Sequence, residues 1–122
     1  MLTGQIELIL LITGLATTGA VVVFLAPVMM MKLLFGRAPS DSGSLLIIRH
    51  WGLLVCLVGA LLIYSAFHAE MRVPTLIVAI VEKAVVAIGM FASPFRRRPA
   101  VAFVALGDGG MAAIYLLYLT GL

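Results

Sequence analysis

The chain has 122 residues, of which 64% are hydrophobic and 11% charged, with a net charge of +3 and a mean hydropathy of +1.25. Soluble domains are about half apolar and a quarter charged, so this composition excludes a soluble globular enzyme or binding domain and predicts an all-α, polytopic integral membrane protein. An isoelectric point of about 9.5 would suit nucleic acid in a soluble chain, but here the basic residues gather in short loops between apolar runs, where they orient spans in a bilayer, and no nucleic-acid partner is expected.

A membrane-crossing helix takes about 20 mostly apolar residues. Runs at about 6–31, 45–67, 75–93 and 100–122 predict four of them, forming one domain over 1–122. The first run competes with a signal peptide, which has a basic leading region and a short apolar core. Met1 to Gln5 carries no Lys or Arg and the run continues to Met31, so a retained helix is expected. Pro27 falls inside it, and "PVMMMKLLFG" reads either as a kinked continuation or as a short interfacial helix. "GRAPSDSGS", "HAEMRVP" and "SPFRRRP" separate the later runs with the Gly, Pro and Ser residues that end helices. All three loops are short, which predicts consecutive helices packed antiparallel as one four-helix bundle. Cys56 is the single cysteine, so no intramolecular disulfide forms.

Basic residues set the orientation. Lys32 and Arg37 lie in and before the first loop and Arg96, Arg97 and Arg98 in the third, whereas Arg72 stands alone on the other side. The expectation is a multi-pass protein of the bacterial inner membrane with the first and third loops cytoplasmic and both termini periplasmic. Arg96, Arg97 and Arg98 then serve as a topology signal and an anchor to anionic lipid headgroups.

The charges inside the spans are more informative. At about 1.5 Å per residue, Arg49 and His50 come about one turn inside the second helix, Asp108 about 12 Å into the fourth from the same side, and Glu82 and Lys83 near mid-membrane on the third. Glu7 sits close to the outer end of the first. An unpaired ion at such depth costs several kcal/mol, so these groups are expected to face the interior and find partners. The favoured pairing is Arg49 with Asp108, with Glu82 accepting from Arg49 or His50, and Lys83 reaching Asp108 or a partner across a subunit interface. Neighbours on a helix point about 100° apart, so Glu82 and Lys83 are expected to address different surroundings.

Small residues run along the same stripes: Gly52, Cys56 and Gly59 behind Arg49, Gly14 and Thr18 behind Glu7, Ala105 and Ala112 with Tyr115 behind Asp108. Such stripes allow close helix approach. The glycines of "LGDGG", Gly107, Gly109 and Gly110, are read first as tight packing and second as backbone left open to a ligand. "GLATTGAVVVFLAPVMMMKLLFG", then "RHWGLLVCLVGALL", "EK" in the third helix and "D" in the fourth resemble the DoxX-like group of small bacterial four-helix membrane proteins. The resemblance implies a four-helix inner-membrane bundle and carries no catalytic residues with it.

Chemistry of other kinds finds little footing. His50 and His68 are about 27 Å apart on one helix and cannot share a haem, although His50 with Met111 remains open. No metal-ligand spacing, phosphate loop or nucleophile elbow occurs, so no cofactor or metal is expected. Three functions survive. The first is a structural or accessory bundle that self-associates or joins a larger membrane complex. The second is a small proton-coupled transporter or exporter using Glu7, Glu82 or Asp108. The third is a quinone- or lipid-handling enzyme subunit using Arg49, His50 and Asp108. The first is the leading expectation, and enzymatic activity is not expected.

Overall fold

The computed structural model describes residues 4–121, so Leu122, assigned above to the fourth helix, lies outside them. Among the described residues all regular structure is helical: α1 (Ile6–Thr18), α2 (Val21–Leu25), α3 (Pro27–Phe35), α4 (Ser42–Phe67), a single 3₁₀ turn (Ala69–Met71), α5 (Arg72–Phe91) and α6 (Pro99–Leu119). Four stretches are long and apolar enough to cross a membrane: Ile6–Leu25, Ser42–Phe67, Ala69–Phe91 and Pro99–Leu119. The protein is an all-α, multi-pass helical membrane protein.

The first span is not a uniform α-helix. Between α1 and α2 the amides of Gly19, Ala20, Val22 and Val23 bond to carbonyls three residues back, on Ala16, Thr17, Gly19 and Ala20, which is a tightened, 3₁₀-like junction. The span then stops at Leu25 rather than continuing to Met31. Pro27 bars the residue before it from helical geometry, and Ala26 sits at φ −138°, ψ 66°. Pro27 then occupies the first turn of a separate α3, where its missing N–H costs nothing. α3 ends at Gly36, whose φ of 85° is open to glycine and strained for other residues.

Two arginines satisfy helix ends that the backbone leaves open. Arg98 Nε donates to the Leu34 carbonyl at 2.7 Å, tying the third loop to the end of α3. Arg72 donates from Nε to Ser65 O at 2.9 Å and from Nη2 to Ala66 O at 2.8 Å, closing α4 onto the start of α5. α4 begins at Ser42, earlier than its apolar run, because the Asp41 carboxylate caps it by accepting from the Ser44 amide at 2.8 Å. Hydrogen bonding from Ser44, first from its side chain and then from its amide, holds the Asp41 carboxyl below its ordinary value of 3.8.

Glycines bring α4 against the first span. A β-carbon on Gly59 would lie 2.5 Å from the Thr18 amide, one on Gly14 2.7 Å from Ile63 Cγ1, and one on Gly52 2.6 Å from Val23 Cβ. Both helices therefore touch backbone to backbone, which any larger residue would prevent. α6 lies against α5, and α4 also meets α5.

The interior is unlike at its two ends. Around the termini, Ile6, Leu10, Leu62, Ala66, Leu76, Ala79 and Tyr115 form a closed apolar core. Towards the first and third loops the buried residues separate into two smaller clusters, Val23 with Met31 and Leu34, and Met90 with Val101 and Ala105. The space between these regions holds the site.

Candidate intramembrane site

Lys83 is the one charged side chain in the described interior that is almost completely buried, at 1% exposure. It projects from the middle of α5, and its Nζ donates to Thr17 Oγ1 on α1 at 2.8 Å. Thr17 can accept because its own hydroxyl proton goes to Thr13 O at 2.7 Å, one turn back. Two carboxylates flank the ammonium: Glu82 Oε1 and Asp108 Oδ1 each lie 3.7 Å from Nζ. The cluster thus joins α1, α5 and α6 through one cation.

A cavity of about 330 Å³ opens beside this cluster, lined by residues from every helix of the bundle and including Glu82, Lys83 and Asp108. Its other walls are mainly apolar, with Leu34, Trp51, Val55 and Met111 among them. Both Glu82 carboxylate oxygens are shielded from solvent and have no hydrogen-bond partner. A carboxylate committed to Lys83 alone would be expected at hydrogen-bonding distance; at 3.7 Å Glu82 retains its full acceptor capacity. The site can therefore hold a proton, a cation or a hydrogen-bond donor, and it carries a formal excess of one negative charge when all three groups are ionised.

The sequence-predicted residues divide. Glu82, Lys83 and Asp108 meet; Arg49, His50 and Glu7 stay apart. Arg49 and His50 are exposed, and neither takes part in an ion pair among the described residues. The expected Arg49–Asp108 pair is therefore corrected. α4 packs on the first span, α3 and α5, while Asp108 sits on α6 against α5, and Arg49 lies near enough to the start of α4 for its long stem to carry the guanidinium outwards. Glu82 accordingly accepts from neither Arg49 nor His50. The expectation that Glu82 and Lys83 look away from each other is corrected too, because two long flexible stems bridge the 100° between their attachment points. Glu7 is exposed in the first turn of α1, away from the cavity.

The basic triplet also separates. Arg96 and Arg97 are exposed, whereas Arg98 is half-buried against the end of α3. Gly107, Gly109 and Gly110 do not serve tight packing: a β-carbon on Gly107 or Gly110 would meet nothing within 4 Å, and one on Gly109 would make an ordinary 3.7 Å contact with Ala87. Gly107 instead lines the cavity. His68 stacks on Tyr64, ring centroids 3.9 Å apart, at the far end of α4 from His50. No group of three or more His, Cys, Asp or Glu suited to a metal ion occurs among the described residues.

Thr17 is the site residue that sequence reasoning missed. Thr13 and Thr17 stand one turn apart on a mostly apolar helix, a spacing that puts both hydroxyls on one inward face. Set against known protein families, curated proteins and solved structures, the chain matches none of them.

Proposed function

We propose that this protein is a small transporter-type membrane protein in which the Lys83, Glu82 and Asp108 cluster exchanges protons against a cationic solute bound in the adjoining cavity. The observation that carries the reading is the Glu82 carboxylate, enclosed beside a 330 Å³ space with neither oxygen hydrogen-bonded. Burying charge is costly unless it is paired or put to use. Lys83 already has an acceptor in Thr17 and a counter-charge in Asp108, so Glu82 exceeds what neutralising the lysine requires. The closed core around Leu10, Leu62 and Leu76 separates the cavity from the terminal end of the bundle.

The basic loops support an inner-membrane location with the first and third loops cytoplasmic, so that the cavity lies in the cytoplasmic half. The sequence anchors given above support affiliation with the DoxX-like group. A structural or accessory role, in a homo-oligomer or a larger complex, is the second reading. It is favoured by the Lys83–Thr17 hydrogen bond, which fastens α5 to α1 across the bundle.

Proteoliposomes loaded with acidic buffer and diluted into neutral buffer separate the two. With ethidium as the cationic probe, pH-gradient-driven uptake is expected for the wild type and its loss for Glu82→Gln. Equal, leak-level uptake by both, with the protein shown to be folded, would remove the transporter reading and leave the accessory one.

A further inference from the structure

The mouth of the cavity lies within the membrane-spanning girdle. Four of its lining residues are exposed: Ala16 and Gly19 at the α1–α2 junction, and Phe103 and Gly107 on α6. Phe103 is 79% exposed, the highest figure among the large apolar side chains. Ala16 is ten residues into a span that starts at Ile6, and Gly107 eight residues beyond Pro99. At about 1.5 Å per residue, Phe103 lies about 6 Å, Gly107 about 12 Å and Ala16 about 14 Å inside the ends of their spans nearer the first and third loops, with the opposite ends farther away. The hydrocarbon of a bilayer is about 30 Å thick, so what meets the opening is acyl chain and whatever dissolves among acyl chains, not bulk water.

The far wall is different. Behind the apolar mouth stand two carboxylates and one ammonium. The ammonium is held by Thr17, and Glu82 is without a hydrogen-bond partner. An anionic head entering here would meet two carboxylates, and a neutral one would leave the charge excess unanswered. A protonated amine would give Glu82 a charge-assisted hydrogen bond and balance the site. The volume is at the low end of the range for small-molecule sites, about 300–1,000 Å³, enough for a head and the first part of a chain whose remainder stays in the bilayer.

We infer that the cavity takes an amphiphile with a single cationic amino head and an apolar tail, admitted sideways from the membrane between the α1–α2 junction and α6. The inference rests on the exchange reading above and names its substrate class and route. The 3₁₀-like junction, whose Gly19 and Ala20 line the cavity, forms one jamb of the opening, and Gly107, without a side chain, keeps the other clear.

Trp51 is the single tryptophan and it lines the cavity, so its fluorescence reports occupancy. The protein is placed in nanodiscs of unbrominated phosphatidylcholine and titrated with 9,10-dibromostearylamine or with 9,10-dibromostearic acid, which share a tail and differ in the head. The amine is expected to quench Trp51 at a concentration about tenfold or more below that of the acid, the worth of one charge-assisted hydrogen bond. Glu82→Gln should abolish that difference. Gly107→Leu, at a position where a β-carbon meets nothing and the helix can stand, should weaken amine quenching by narrowing the mouth. Equal quenching by the two heads in the wild type, or amine quenching unchanged in both variants, would overturn the inference. Ethidium uptake persisting without head-selective quenching would remove the lateral amphiphile and keep the exchange reading, whereas selective quenching without uptake would keep binding and remove transport.

Discussion

Lys83 and Asp41 show how differently two charged residues depend on their surroundings. Lys83 is almost completely buried, with one hydrogen-bond acceptor and two carboxylates near it. Lys83→Met would leave those carboxylates facing each other without a counter-charge, at a cost of about 3–5 kcal/mol. Adding Glu82→Gln and Asp108→Asn should restore most of it, as read from thermal unfolding of the variants in one detergent. Asp41 is exposed, and its part in stability follows pH. Its folded value lies below the ordinary one, so its stabilisation is fully present above the unfolded value and is lost as pH falls through the folded one. Asp41→Ala is therefore expected to unfold at a lower temperature than the wild type at pH 7, with the difference shrinking as pH falls below the ordinary carboxyl value of 3.8 and through the lowered folded one.

At the scale of the helices, the glycines sort into two kinds that look alike in the sequence. Gly59→Ala would drive a methyl group into the Thr18 amide, and backbone cannot rotate away as a side chain can, so a loss of about 1–3 kcal/mol is expected. Gly107→Ala meets open space and should gain up to about 1 kcal/mol from helix propensity. Unfolding of both variants in mixed micelles titrated with sodium dodecyl sulfate checks the pair. The spans themselves were legible because a bilayer demands about 20 apolar residues whatever their neighbours do. The break at Ala26 was half legible, through Pro27. The caps by Arg98 and Arg72 were not, since each depends on a loop folding back onto a helix end distant in sequence or across a turn. In the site, the cost of buried charge marked Glu82, Lys83 and Asp108 from the residue types alone. Their partners were out of reach, because depth along a helix says nothing of which neighbour a face meets. Arg49 and Asp108 match in depth, yet Asp108 meets Lys83 of α5 while the Arg49 side chain is exposed. Thr17 stayed hidden because a hydroxyl in a membrane helix satisfies itself on its own backbone, and only the lysine opposite shows that it also accepts.

For the whole molecule, the asymmetry between a closed terminal end and a cavity towards the first and third loops ties function to orientation. In a background without Cys56, Ser42→Cys at the first loop is expected to resist an impermeant maleimide in intact cells and to react after the membrane is opened; labelling in intact cells would invert the orientation and put the cavity in the outer half. The measurement closest to the central claim, that the buried cluster works rather than merely holds, uses the charge-cleared variant Lys83→Met with Glu82→Gln and Asp108→Asn. Its thermal stability and its pH-gradient-driven ethidium uptake are measured beside the wild type in the same lipid. Stability within about 1 kcal/mol of the wild type together with complete loss of uptake is the predicted result, while wild-type uptake by a protein that has lost all three charges would contradict it.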